Sequence, residues 1–386
     1  MARIMRRKFI VFVILVLVLI FMLTAFLNRI DENEVSVNVP PGTEETTPNL
    51  EPTPPSPLQR YNVDLEFPVT GATGYTSIDL DLKTSGNTDS RTIETLIAGT
   101  AFEIMEEQGD WWLIKKDAST GWVQHTYCLI NLPDVIPSII YDNTNTYSSR
   151  YMSSGKSIPN ITGKSLYSGK TFNQRLGKEE FIVPVLYSMS KKIFLAQQEA
   201  LADGNSLIIH EGYRPYPVQQ SVVSELTKLA NKDREVKAGI SAEPWGVNWF
   251  IATNVSNHQM GYAIDASLAK IHAKTEIVIG EYAGIEITDY TEYKMPTKIH
   301  ELSVAAVTFT APVKSTIPMA WKNSVIAETM NEPAIMLQEY STNAGLSPLA
   351  SEWWHFNDLD AMKATMEKSS VGSYFLIDNY STNPSN

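Results

Sequence analysis

From Phe9 to Leu27 the chain is an uninterrupted apolar run, with Arg3, Arg6, Arg7 and Lys8 before it and acidic sequence after it. At about 1.5 Å per residue such a run spans the ~30 Å hydrocarbon core of a bilayer, so it reads as a membrane helix or a signal sequence. No small-x-small cleavage site follows, since Thr24-Ala-Phe-Leu-Asn-Arg-Ile leads straight into polar sequence. An uncleaved anchor over 9–27 is therefore the expected form, with residues 1–8 cytoplasmic and the rest of the chain outside the membrane.

The pattern then changes three times. Residues 28–60 carry acidic side chains and seven prolines (Pro40, Pro41, Pro48, Pro52, Pro54, Pro55 and Pro57) with almost no large apolar groups, which predicts an extended linker that cannot fold on its own. Over 61–132 short alternating runs are separated by turn residues, as in Thr92-Ile-Glu-Thr-Leu-Ile-Ala-Gly-Thr, and predict a small all-β barrel. Over 133–370 strand-like and helix-like stretches are mixed. Met189 to Leu201 has helical spacing and ends at Asp203-Gly204; Ser206-Leu-Ile-Ile-His reads as a buried strand, Val218 to Ala230 as a second helix, and Tyr262 to Leu268 as a strand. The irregular alternation predicts an α+β fold and excludes a doubly wound parallel sheet. Residues 371–386 form a polar tail.

Composition adds limits. At 386 residues and 43% hydrophobic the chain has material for at least two folded domains. The single cysteine, Cys128, excludes an internal disulfide and reads as a buried thiol. A net charge of −12 argues against nucleic acid as a partner, because phosphate binding requires a basic face.

Two distant segments carry the candidate chemistry: Ser256-Asn-His-Gln-Met-Gly-Tyr-Ala-Ile-Asp265 and Glu352-Trp-Trp-His355. A hydrolytic zinc site needs three protein ligands, a free fourth position and a carboxylate that is not a ligand. His258, Asp265 and His355 suit the ligand roles and Glu352 the base. His258 and Asp265 are too far apart for one helical turn, so a loop-to-strand arrangement must bring them together, with Gly261 permitting the turn. Glu352 and His355 fit one helix face, a loop or a helix start. His300-Glu301 lacks a second histidine four residues on and is set aside as a metal motif, although Met295 to Ser303 remains a candidate cleft lining. His210 reads as a structural hydrogen-bonding residue, and His125 and His272 have no identifiable partners.

Tyr213-Arg-Pro, Ser256-x-His-x-x-Gly-x-Ala-x-Asp265 and Glu352-x-Trp-His355 together resemble the signature segments of the zinc D-alanyl-D-alanine carboxypeptidases and dipeptidases, the family that includes vancomycin-resistance enzymes. The resemblance covers roughly Ile139 to Asp358. It implies a small α+β domain with a central antiparallel sheet, a Zn2+ ion and D-alanine-ended peptidoglycan stem peptides as substrates. It further implies Arg214 as a partner for the substrate carboxylate or the oxyanion, and Gln219, Ser256 and Trp353 as substrate-binding residues; helix surface and turn are the plain readings of Gln219 and Ser256. Residues 61–132 resemble bacterial SH3-like domains through Gly109-Asp-Trp-Trp and Thr120-Gly-Trp-Val-Gln-His-Thr-Tyr, with Trp111, Trp112 and Trp122 either wall-binding or core residues.

The expected activity is a membrane-anchored D,D-carboxypeptidase acting in cell-wall remodelling. An L,D-carboxypeptidase, a D-Ala-D-Ala dipeptidase and a non-catalytic wall-binding protein are the alternatives. The stretch from Lys270 to Trp321 departs from compact members of that family and is expected to add strands or a lid.

Overall fold

Alternation between buried and half-exposed positions, seen in Trp111-Trp112-Leu113-Ile114, drives residues 73–131 into strands. These are β1 (Thr73–Thr76), β2 (Leu80–Lys83), β3 (Thr92–Leu96), β4 (Ala101–Gln108), β5 (Trp111–Lys116), β6 (Ser119–Gln124) and β7 (Cys128–Asn131). The computed structural model describes residues 59–368, apart from 62, 148, 167 and 168, together with 376. The basic end, the anchor, almost all of the linker and the polar tail expected from the sequence lie outside the described residues. Among the described residues no helix is long and apolar enough to cross a membrane.

The first sheet has the order β9-β7-β1-β4-β5-β6-β2-β3, where β9 is Pro184–Leu186, contributed from well beyond β7 in the chain. β9 pairs antiparallel with β7 through Val185 and Ile130. Trp112 is fully buried and packs against Tyr187, ring centroids 4.7 Å apart, so it is a core residue. Trp111 and Trp122 are half-buried.

The second sheet has the order β13-β14-β11-β10-β8, built from β8 (Ile140–Tyr141), β10 (Asn205–Glu211), β11 (Ala263–Ile279), β13 (Ser347–Leu349) and β14 (Glu352–Asn357). β8 runs parallel to β10, and the other pairs are antiparallel. Helices α1 (Tyr187–Ala202) and α3 (Glu332–Asn343) pack on each other and on this sheet, and α2 (Tyr216–Lys232) follows β10. The fold is thus mixed α+β with antiparallel sheets. The predicted helices 189–201 and 218–230 correspond to α1 and α2.

The 270–321 stretch resolves into two parts. β11 runs far beyond the strand expected at 262–268 and returns as β12 (Tyr282–Glu292), making a long hairpin arm. The arm's far end meets the first described residues: Gln59 N donates to Glu281 O at 2.9 Å, Ala283 N donates to Gln59 O at 2.8 Å, and the Phe67 ring occupies the space a Cβ on Gly284 would need. The second part, from His300 onward, lies beside the candidate site.

One hydrophobic cluster runs from Leu65 through Trp112, Leu186 and Leu268 to Phe356 and Ala361. Polar ties reinforce it: buried Arg175 donates to Thr70 O at 2.5 Å and Pro68 O at 2.7 Å, and Asn131 and Thr73 N both donate to the buried Asp134 carboxylate.

Candidate metal centre

Register places the ligand candidates before any side chain is considered. Glu211 on β10 lies opposite Asp265 on β11, and Asp265 lies opposite His355 on β14, so one row crosses three strands. The row depends on a bulge. Ile209 pairs with Ala266 and Glu211 with Asp265, so His210 is skipped and Glu211 is turned toward Asp265. His210 instead sits between Asp142 O (3.2 Å) and Ser267 Oγ (2.8 Å).

A second irregularity lies on β14. Pro348 pairs with Phe356 and Leu349 with Glu352, so one step along β13 spans four residues of β14. Regular two-residue alternation would put residues 352 and 355 on opposite faces; the irregular ladder lets both line one cavity. The pair therefore sits on a strand, not on a helix face or a loop.

His258 arrives on a tight turn closed by Gln259 N to Ser256 O (3.1 Å) and Gly261 N to His258 O (3.1 Å). Gly261 has φ +80°, and a Cβ there would lie 2.4 Å from Leu129 Cδ2 of β7, so the turn requires glycine twice over.

The donor atoms converge. His258 Nε2 lies 3.2 Å from Asp265 Oδ1, His355 Nδ1 lies 3.1 Å from the same oxygen, and the two nitrogens are 3.1 Å apart. Ligands at 2.0–2.2 Å from a tetrahedral ion are roughly 3.3–3.5 Å from one another, so this triangle fits zinc after an opening of a few tenths of an ångström. The outer contacts fix the tautomers. His258 Nδ1 donates to Gly212 O (2.8 Å), and His355 Nε2 donates to Asn357 Oδ1 (3.0 Å), which also accepts from Asn257 Nδ2 (2.6 Å). Two imidazole lone pairs and a carboxylate oxygen are left facing one another in a buried place, an arrangement that calls for a cation.

The charges divide the two imidazoles: against the cost of burial, Asp265, Glu352 and Asn357 raise His355 above its ordinary value. Against the cost of burial, His258, His300 and His355 hold the Asp265 carboxyl well below the usual carboxylate range. Burial lowers His258, the more readily because Arg214 and His355 add to it, which favours the neutral, ligating imidazole. Burial also pushes Glu352 up to about 8. Its Oε2 lies 3.7 Å from His355 Nδ1, beside the triangle but not part of it.

Arg214 is almost fully engaged. Its Nε donates to Glu211 Oε1 (2.9 Å), Nη2 to Glu211 Oε2 and to Asp265 Oδ2 (3.3 Å), and Nη1 to Gln219 Oε1 (2.7 Å). Four of the five guanidinium hydrogens thus have partners among the described residues, which leaves one on Nη1. Gln219 is buried, donates from Nε2 to Ala252 O (2.7 Å), and acts on Arg214 and on the cavity wall. Ser256 lines the cavity, and its buried Oγ has no hydrogen-bond partner among the described residues. Trp353 is not brought into this cavity: its Nε1 donates to Thr297 Oγ1 (2.8 Å), and it faces a neighbouring cleft with Arg150, Lys294 and Ile299. Trp354 lines the cavity in its place.

The cavity, about 210 Å³, is walled by Trp249, Phe250, Ile251 and Trp354 over the polar floor. Sequence reasoning missed Glu211, whose signal was its place three residues before Arg214; His300, within the stretch expected to line the cleft, does line the cavity.

The chain matches no family model, and no curated protein is similar to it. Among solved structures it is similar to a mutant of the vancomycin resistance D,D-pentapeptidase VanY from the VanB-type resistance cassette, in complex with Zn(II). The identity is 16%, the match covers 57% of this chain and 92% of that chain, and the TM-score is 0.26. At that score the likeness supports no conclusion about activity.

Proposed function

We propose that this chain is a zinc hydrolase that removes the C-terminal D-alanine from peptidoglycan stem peptides, held at the outer face of the membrane by its apolar N-terminal run. The observation that carries the reading is the triangle of His258 Nε2, Asp265 Oδ1 and His355 Nδ1 with the non-ligating Glu352 carboxyl beside it.

A zinc ion held by these three residues supplies Lewis acidity toward a carbonyl and toward water. Glu352 Oε2 takes a proton from the attacking water and delivers it to the leaving amine. Arg214, with one Nη1 hydrogen to offer and no accessible deprotonated form, meets the anionic end of the substrate or the developing oxyanion. The unpartnered Ser256 Oγ supplies a further polar contact. Trp249, Phe250, Ile251 and Trp354 exclude water from the reacting bond. The D-alanine-ended substrate is supported by the three motif segments and by a cavity that suits a small chain end.

The test is to incubate the full-length protein with stem pentapeptide and, separately, tetrapeptide, and to identify what is released by mass. Release of D-alanine from pentapeptide, abolished by a chelator and restored by zinc, is expected. Release from tetrapeptide alone would assign the L,D-activity instead, and no release from either would refute the peptidase reading.

A further inference from the structure

The Asp265 carboxylate has two oxygens with different partners. Oδ1 faces the two ligand imidazoles, whereas Oδ2 accepts from His300 Nε2 at 3.1 Å and from Arg214 Nη2 at 3.3 Å. We propose that His300 is a positioning residue for the metal centre: by occupying Oδ2 it keeps Asp265 a one-oxygen ligand and so preserves an open coordination position. The inference rests on the zinc reading above.

Several observations point to a built contact. His300 is buried, and its ring stacks on Tyr151 with centroids 4.6 Å apart and planes at 14°. Tyr151 OH donates to Glu211 Oε2 at 3.4 Å, so the stacking partner is tied to the same carboxylate that holds Arg214. The backbone of His300 is left-handed, φ +61°, a conformation that costs a side chain other than glycine about 1 kcal/mol or more. His300 O accepts from Met152 N at 3.0 Å, which holds that conformation in place. Nε2 is the ring nitrogen with a partner among the described residues, and that partner is Asp265 Oδ2.

Glu211, Asp265 and His300 also form a compact group of their own. A second cation is excluded there, because Arg214 Nη2 already bridges Glu211 and Asp265. Two donors on Oδ2, one of them cationic, oppose its rotation onto the ion. A carboxylate binding through both oxygens would fill the position that the reaction needs.

Full-length protein stripped of metal and reloaded with Co(II) gives a direct readout, since the visible absorption is strong for four ligands and weak for five or six. His300→Asn tolerates a left-handed backbone but is too short to reach Oδ2, whereas His300→Gln places a donor where Nε2 stands. The Asn variant is expected to lose about 10- to 100-fold in zinc affinity, measured by chelator competition, and to show a weakened cobalt spectrum, with the Gln variant recovering both. An Asn variant with the affinity and spectrum of the unaltered protein overturns the proposal, as does a Gln variant no better than Asn. Should the Asn variant fail to fold, zinc X-ray absorption on the unaltered protein decides: a four-coordinate shell at about 2.0–2.2 Å is expected, and a five- or six-coordinate one overturns the proposal. If the unaltered, folded protein takes up neither zinc nor cobalt, the zinc reading itself fails, a result distinct from either.

Discussion

Glu352 is the side chain on which the proposed reaction and the proposed metal site part company. It is beside the ligand triangle without belonging to it, so Glu352→Gln is expected to keep stoichiometric zinc while lowering kcat by about 10²- to 10⁴-fold, read by metal analysis and product release on the same sample. Loss of zinc together with activity would make Glu352 a ligand. A different carboxyl governs stability. Glu66 accepts from Ser138 N at 3.0 Å and from Gln198 Nε2 at 3.2 Å, yet burial pushes it up to about 7. From its ordinary value of 4.5 to about 7 the unfolded chain has released this proton while the folded chain retains it, so stability falls as pH rises through that window and is level above it. Glu66→Gln should remove this component, gaining up to about 3 kcal/mol at pH 8 relative to its effect at pH 4, as measured by denaturant unfolding at both. An unchanged pH slope would show that Glu66 is not the group responsible.

The elements explain what a sequence reader sees and what is hidden. Both helices and the buried strand before Arg214 were legible because their periodicity is set by a single core face. The two segments carrying His258, Asp265, Glu352 and His355 were legible because metal chemistry restricts residue types. What was not legible are the bulge at His210 and the irregular β13–β14 ladder, which depend on partner strands far away in sequence and decide that Glu211 joins the row and that Glu352 and His355 share a cavity. Trp353 and Trp354 show the same limit: adjacent on one strand, they serve different clefts, and only the ladder tells which. The turn at Gly261 couples the two sheets through a single residue. Gly261→Ala forces a side chain into a left-handed backbone and against Leu129, and is expected to cost about 2–4 kcal/mol and to weaken zinc binding together with stability. Unfolding and zinc competition measure the two; full stability with normal zinc affinity would mean the turn relaxes elsewhere.

At the scale of the whole molecule, the shared sheet and continuous core predict that the strands of the first sheet and the candidate metal site unfold as one cooperative body. Thermal unfolding followed by tryptophan fluorescence, to which Trp111, Trp112 and Trp122 contribute, should coincide with loss of catalytic activity. Zinc at 100 times its Kd should raise this single transition by about 2.7 kcal/mol. Two separate transitions, with zinc moving only one, would refute the shared core. The hairpin arm gives this unity a mechanical sense. Asp265 and the arm's far end lie on one strand, and from Asp265 to Ile279 the ordinary strand rise amounts to roughly 45 Å. Over such a lever a tip displacement of 1 Å turns the root by only about 1°. The clasp of Gln59 and Phe67 on residues 281–284 therefore holds the tip of a strand whose root, paired on both sides, keeps Asp265 in place whether or not the tip sways.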